Sequence, residues 1–323
     1  MFKNTQEFKA PDGTMIFVRH WRPTKAKTTP PAVVQIFHGL VEHSERYEHF
    51  AEQLVADGYH VFAHDHRGHG YTAKNKSELG LFDSNYGWRL VIEDGKHIND
   101  FIREQYIGIP IITFGHSMGS FILQKCLTKY PQMTNGVILS GTTVPNKLLV
   151  KSALTVANLD KARSGALTRC QIVEYLTFKP YNKAFKPNRT DSDWLSRDNA
   201  AVDAYVADIR CGFVSCAQLW IDLSKGILEL FDSKIHSKLP KNVPYLILGG
   251  DHDPLSNKGK GSKKLEELLK SYKISSVDLK LYADGRHEML NEINRDEVEK
   301  DIRYWIRNTV RKLAGASKSK KAA

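Results

Sequence analysis

A serine hydroxyl becomes a useful nucleophile only where a base takes its proton and an acid holds that base in one tautomer. Gly115-His116-Ser117-Met118-Gly119 has the G-x-S-x-G spacing. In that pattern the flanking glycines let a strand turn sharply into a helix with the serine at the apex. The chain has 22 glycines, so five residues alone are weak support. The context is stronger: the β-rich run Ile109–Phe114 leads into the pattern and a helical run, Phe121–Leu127, follows it. Ser117 is the candidate nucleophile; the alternative is an ordinary turn between strand and helix.

With such an elbow the acid and then the base follow the serine along the chain, each on a loop after a later strand. Leu246–Pro254 supplies Asp251 and Asp253, and Leu279–Leu290 supplies His287. Asp253 is preferred, because Asp251 adjoins a glycine pair and suits a turn; His252 is the rival to His287. A tetrahedral intermediate needs two backbone N–H donors. Met118, next to the nucleophile, offers one, and Leu40, in Phe37-His38-Gly39-Leu40, offers the other.

Seven of the thirteen histidines fall between His38 and His69, yet His64-Asp65-His66-Arg67-Gly68-His69 lacks the spacing of a metallohydrolase cluster. Asp65, Arg67 and Gly68 read better as a structural loop with a buried ion pair, and neither metal nor cofactor is expected. Cys126, Cys170, Cys211 and Cys216 form no C-x-x-C pair and are expected as buried thiols.

These residues must be held by a scaffold, and its outline is legible. Met15–Trp21, Ala32–Phe37, His60–Ala63, Ile109–Phe114, Gly136–Leu139, Val243–Leu248 and Val277–Tyr282 have strand character, and the middle runs are continuously apolar, as strands covered on both faces are. Helical patterns lie between them, roughly at Glu45–Asp57, Asn85–Gln105, Met118–Lys129, Lys258–Tyr272 and Arg295–Leu313, with Ser44 as an N-cap and Gly58 as a stop. Alternation of this kind predicts a doubly wound α/β sheet, mostly parallel, with helices on both faces. The rhythm breaks at 144–240, which has helical spacing, a loop at Lys179–Asp193 and no strand. It is expected as a helical cap inserted into a core of residues 1–143 and 241–313, with 314–323 a basic flexible tail.

The chain has 323 residues, 26% charged, and 47 Lys and Arg against 36 Asp and Glu leave a charge of +11. Arg311, Lys312, Lys318, Lys320 and Lys321 contribute to it without one acid among them. The tail lacks aromatic residues on which bases could stack, so nucleic acid is not an expected partner, whereas an anionic membrane surface is an option. No apolar run is long enough to span a bilayer, and the N-terminus lacks a signal-peptide core. The expected location is the cytoplasm, with peripheral contact at the inner membrane face; oligomeric state is left open.

Four segments occur in order: His38–Tyr47, Asp65–Gly70, Gly115–Gly119 and Gly285–Glu292. Together they resemble the monoacylglycerol lipase and bacterial lysophospholipase branch of the α/β-hydrolases. The likeness extends through the cap, where Trp194–Asp198 and Asp203–Asp208 look like bacterial members. It implies an eight-stranded sheet, Ser117 as nucleophile, Asp253 as acid, His287 as base, and Leu40 and Met118 as the oxyanion hole. Ser120 departs from it, since many members carry another glycine there. A helical cap over a serine elbow forms a gorge. Leu148, Leu149, Leu154, Val156, Leu159, Leu176, Phe178, Phe213, Leu219 and Trp220 would suit an acyl chain, or equally the cap's own core. The expected activity is hydrolysis of a lipid ester with one acyl chain. The alternatives are a short-chain carboxylesterase and a binding protein that keeps the fold; an epoxide hydrolase or dehalogenase would need an acid at position 117.

Overall fold

Val33–Phe37, Ile111–His116 and Gly136–Ser140 are largely apolar from end to end, and in the computed structural model each is a strand with every residue buried. The structure describes residues 1–24 and 29–321. These strands are β3, β5 and β6 of a sheet that also contains β1 (Phe2–Lys9), β2 (Met15–Arg22), β4 (His60–His64), β7 (Pro244–Gly250) and β8 (Ser276–Tyr282). The eight strands lie in the order β1-β2-β4-β3-β5-β6-β7-β8. Only β2 runs antiparallel to its neighbours; β4, β3, β5, β6, β7 and β8 are parallel.

Alternation along each strand divides the core in two. Val137, Leu139, Tyr245 and Ile247 face one side, against α2 (Gly87–Gln105), α3 (Met118–Lys129) and α9 (Lys260–Ser271). Ile138, Leu246 and Leu248 face the other, where α1 (Glu48–Ala56) and α10 (Arg295–Lys321) pack. Val298, Ile302 and Ile306, four residues apart, form the single stripe by which α10 is held. Parallel strands all end at the same edge, so the residues after β3, β5, β7 and β8 gather there.

Between β6 and β7 lie α4 (Lys147–Ser164), α5 (Gln171–Lys183), α6 (Asn199–Ala207), α7 (Ala217–Leu230) and the short α8 (Ser233–His236). α4 packs along α7, and α7 and α8 rest in turn on α3. The last two helices of the insertion thus rest on the core.

Several expectations are corrected. β1 is an additional strand: its mostly exposed, polar residues give no hydrophobic signal, and pairing with β2 alone defines it. Ser44 is not a helix cap. Its hydroxyl is directed to Asp65 Oδ1, a short 3₁₀ turn follows, and α1 starts at Glu48. The loop expected from Lys179 begins only after Lys183, because α5 runs through Pro180. α10 continues through the basic stretch to Lys321 where a flexible tail was expected; residues 322–323 lie outside the described part. Gly58 does end its helix, at φ +88°. Among the described residues no helix is long and apolar enough to cross a membrane.

Candidate active site

Ser117 sits between β5 and α3 with φ +50° and ψ −120°, a conformation that a side chain rarely adopts. Two contacts fix it: its amide donates to the Ser140 carbonyl at 2.9 Å, and its carbonyl accepts from the Ser120 amide at 2.9 Å. The glycines are required by space. A Cβ on Gly119 would collide with the carbonyl oxygens of Phe37 and His38, and one on Gly115 would lie 2.7 Å from the Gly119 carbonyl. The Ser120 side chain tightens the same turn, its buried hydroxyl donating to the Ser117 carbonyl at 2.6 Å. Serine at 120 thus braces the elbow from behind.

His287, on the loop after β8, places Nε2 3.0 Å from Ser117 Oγ, and its Nδ1 lies 3.1 Å from Asp253 Oδ1 on the loop after β7. Asp253 is fully buried, and the same oxygen accepts from the Leu255 amide at 2.9 Å. Burial alone would lower the His287 pKa, but the Asp253 carboxylate outweighs it and the net direction is upward. His116, whose ring centre is 4.9 Å from that of His287, shows the opposite result: burial, with His287 beside it, brings it to about 4. Asp251 is turned away and bonds to exposed His252 at 2.7 Å, so neither is in the relay.

The loop carrying Leu40 is held by a network that sequence reasoning missed. Glu42 Oε1 accepts from the Gly39 amide at 2.5 Å and from the Tyr47 hydroxyl at 2.8 Å. Arg46 donates to Glu42 Oε2 at 2.8 Å and clasps Glu288, next to the base, through two bonds of 2.6 and 2.7 Å. Burial opposes the charge on Glu288, yet the Arg46 guanidinium holds that carboxyl down at about 2. Gly39 is needed here, since a Cβ would lie 2.7 Å from Glu42 Oε1 and 3.4 Å from the Ser117 Cβ. Leu40 and Met118 both line the cavity over Ser117.

The His38–His69 region packs as rings. His66 donates its amide to His38 Nε2 at 2.9 Å, the two ring centres are 4.2 Å apart, and burial brings both His64 and His69 to about 4. The expected ion pair in the following loop exists with other partners: Asp65 pairs with Arg19, while Arg67 pairs with Asp94 and Asp12. All four cysteines are free and buried.

Ser117 and His287 open into a cavity of about 1140 Å³ roofed by α4, α5 and α7. Leu149, Val156, Leu176, Phe178 and Trp220 line it, as expected. Leu148, Leu154, Leu159, Phe213 and Leu219 do not. Leu148 and Leu159 point to solvent, 75% and 66% exposed. Leu154 and Leu219 pack into the core, and Phe213 meets the His69 ring edge-on. Helical spacing separates the faces of a helix without saying which of them meets a cavity. Further lining residues emerge from the fold: Phe121, Glu174, Tyr181, Trp194, Tyr205 and Ile227.

Residues 192–198 of the insertion belong to the mounting of the base. The His287 amide donates to the Trp194 carbonyl at 3.4 Å and the Glu288 amide to the Leu195 carbonyl at 2.8 Å. The Trp194 ring centre is 4.9 Å from that of His287. Ser196 Oγ donates to the Asn291 carbonyl at 2.7 Å, and Arg197 pairs with buried Glu292 at 2.9 Å.

Comparison with known proteins agrees with this geometry. Residues 28–294 match the family described as Serine aminopeptidase, S33. Human monoglyceride lipase is 30% identical over 301 residues, covering 91% of this chain and 88% of that protein. The monoacylglycerol lipase of Mycolicibacterium smegmatis is 29% identical over 305 residues, covering 94% and 97%. Among solved structures, a thermostable carboxyl esterase from Bacillus coagulans in complex with glycerol superposes with a TM-score of 0.85 at 28% identity, over 96% of this chain and 99% of that one. The sheet order, the elbow and the extent of these matches make the chain a member of the serine aminopeptidase S33 family, with the α/β-hydrolase fold.

Proposed function

We propose that the chain is a serine ester hydrolase that cleaves lipid esters with one acyl chain, monoacylglycerols or lysophospholipids, through an acyl-enzyme on Ser117. One observation carries the reading: the relay Asp253–His287–Ser117, at 3.1 and 3.0 Å, stands at the floor of a cavity walled mostly by apolar side chains. His287 Nε2 takes the Ser117 proton as Oγ attacks the ester carbonyl, and Asp253 stabilises the imidazolium that forms. The Leu40 and Met118 amides receive the oxyanion. His287 then protonates the leaving alkoxide, which departs as glycerol or a glycerophosphodiester. Water, deprotonated by His287, attacks the acyl-enzyme and frees the fatty acid and the serine. No cofactor enters these steps.

The second reading is an esterase restricted to short acyl groups; the Bacillus coagulans neighbour is named a carboxyl esterase. A series of p-nitrophenyl esters and monoacylglycerols of increasing length separates the two. The lipid reading expects kcat/KM to climb with chain length, since each buried methylene contributes about 0.8 kcal/mol; a maximum at acetate or butyrate would refute it.

The insertion of residues 144–240 serves as the cap, and its outer surface suits a membrane. Leu148, Leu149 and Leu159 on α4 and Ile172 on α5 are exposed. Lys147, Lys151 and Arg163 lie on the same first helix. Peripheral docking on anionic lipid follows from that combination. Flotation with vesicles containing phosphatidylglycerol is expected to carry the protein, more weakly at high salt, while vesicles of phosphatidylcholine alone carry less. Equal, negligible binding to both would refute it.

A further inference from the structure

Glu174 is a carboxylate in the cavity that the hydrolysis leaves unused. α5 turns Glu174, Thr177, Phe178 and Tyr181 into the cavity, at the spacing of one helix face. α7 brings Trp220, Leu223, Ser224 and Ile227 to the same cavity at the same spacing. An aromatic wall leads there from the base: Trp194 is 4.9 Å from His287 by ring centres, Phe178 is 5.4 Å from Trp194, and Trp220 is 6.1 Å from Phe178. Glu174 lies one turn before Phe178.

The surroundings of Glu174 are incompletely satisfied. The Ser215 amide donates to Glu174 at 3.4 Å. The indole N–H of Trp220, only 6% exposed, is turned towards the same carboxyl outside good hydrogen-bond geometry, so both groups keep capacity for a ligand. Glu174 is half-buried, with no cation among its named neighbours, so a ligand group in the cavity can take the place of water on its free lone pairs. Burial raises its pKa to about 7, so both protonation states are populated near neutrality. A hydroxyl suits both states, being donor and acceptor at once, whereas an ammonium suits only the ionised form. The Phe178 and Trp220 rings offer apolar walls for the methylenes on either side.

Resting on the ester-hydrolase reading, we propose that Glu174 is a specificity-determining residue that selects esters whose acyl chain carries a hydroxyl well beyond the scissile carbonyl. The aromatic wall motivates the position: three ring-to-ring steps, from His287 through Trp194 and Phe178, lead to Trp220. Ser224, one turn along α7 from Trp220, adds a second hydroxyl to the same stretch of cavity.

The test compares kcat/KM for glycerol monoesters of one chain length, unsubstituted or hydroxylated near the carbonyl, at mid-chain or at the terminus, in the wild type, Glu174→Leu and Glu174→Gln. The wild type is expected to favour one of the distal hydroxyl positions by about ten- to hundredfold. Glu174→Leu erases the preference by raising turnover of the plain ester and lowering that of the hydroxylated one. Glu174→Gln, which can still exchange hydrogen bonds with a hydroxyl, keeps most of it. Equal kcat/KM for all the monoesters, or a preference untouched by Glu174→Leu, overturns the proposal. So does a Glu174-dependent preference for a choline headgroup with no response to acyl hydroxylation, which would assign the site to a cation. Each variant is also assayed on p-nitrophenyl acetate, too short to reach Glu174, and with a fluorophosphonate probe. Loss of both in the wild type would overturn the hydrolase reading and this one with it. Loss in Glu174→Leu alone would mark that variant as misfolded, leaving Glu174→Gln and the wild-type preference to decide.

Discussion

Ser117→Ala is expected to lower kcat/KM by at least about a thousandfold while leaving the fold intact. The hydroxyl contributes little to the elbow, because the turn is fixed by the Ser117 amide and carbonyl and by the glycines on either side. Circular dichroism and thermal unfolding should therefore match the wild type, and labelling by a fluorophosphonate should disappear. Esterase activity within tenfold of wild type would show that another residue is the nucleophile. The wild-type pH profile tests the base in the same assay. Only neutral imidazole can take the serine proton, and the Asp253 carboxylate moves His287 upward from its usual value near 6.5. Activity should therefore rise with pH through a midpoint above 6.5. A midpoint well below that value would contradict the Asp253–His287 pairing.

Arg46→Met is expected to destabilise the protein by about 3–5 kcal/mol at neutral pH, the usual cost of removing one partner from a buried ion pair. Glu288 is 5% exposed and Glu42 is 3% exposed, so water is a poor substitute for the guanidinium. The pH dependence separates this cause from simple loss of packing. In the wild type, Glu288 is held at about 2 in the folded state against 4.5 in an unfolded chain. Its contribution is thus fully present above about 4.5 and is lost as the pH falls towards 2. In the variant Glu288 lacks its counter-ion, burial raises its pKa, and stability falls as the pH rises. The difference between wild type and variant should be large at neutral pH and shrink in acid. Urea unfolding at neutral pH and near pH 4 measures it; a constant difference would mean that the pair acts through packing alone.

The parts of the site that were legible in the sequence are those that one segment encodes by itself. Ser117 was legible because strand, glycine pair and helix are contiguous. Asp253 and His287 were legible because parallel strands must deliver their following loops to one edge. The Glu42–Arg46–Glu288 network was not, since Arg46 and Glu288 stand 242 positions apart and either could have been an ordinary surface charge. Trp194 was visible only as part of a motif, and nothing local told that its ring would cover the base. The cavity lining was half legible for a similar reason. α4 carries leucines on more than one face, and Leu149 reaches the rim of the cavity while Leu148 beside it does not, although both are largely exposed. β1 is the extreme case, a strand specified by its neighbour's free edge rather than by its own residues.

The stitching of residues 192–198 to the loop after β8 limits how this enzyme can diversify. Helices α4 and α5 meet solvent and cavity and can be recast to suit another acyl chain, much as a glove is refitted over the same hand. The stretch from Ser192 to Asp198 has no such freedom, because it supplies the carbonyls and the ring against which the His287 imidazole is set. A chimera that imports a relative's whole insertion replaces part of the catalytic mounting along with the roof. One that exchanges only α4 and α5 and stops at Asp191 leaves both the His287 mounting and the helices resting on α3 in place.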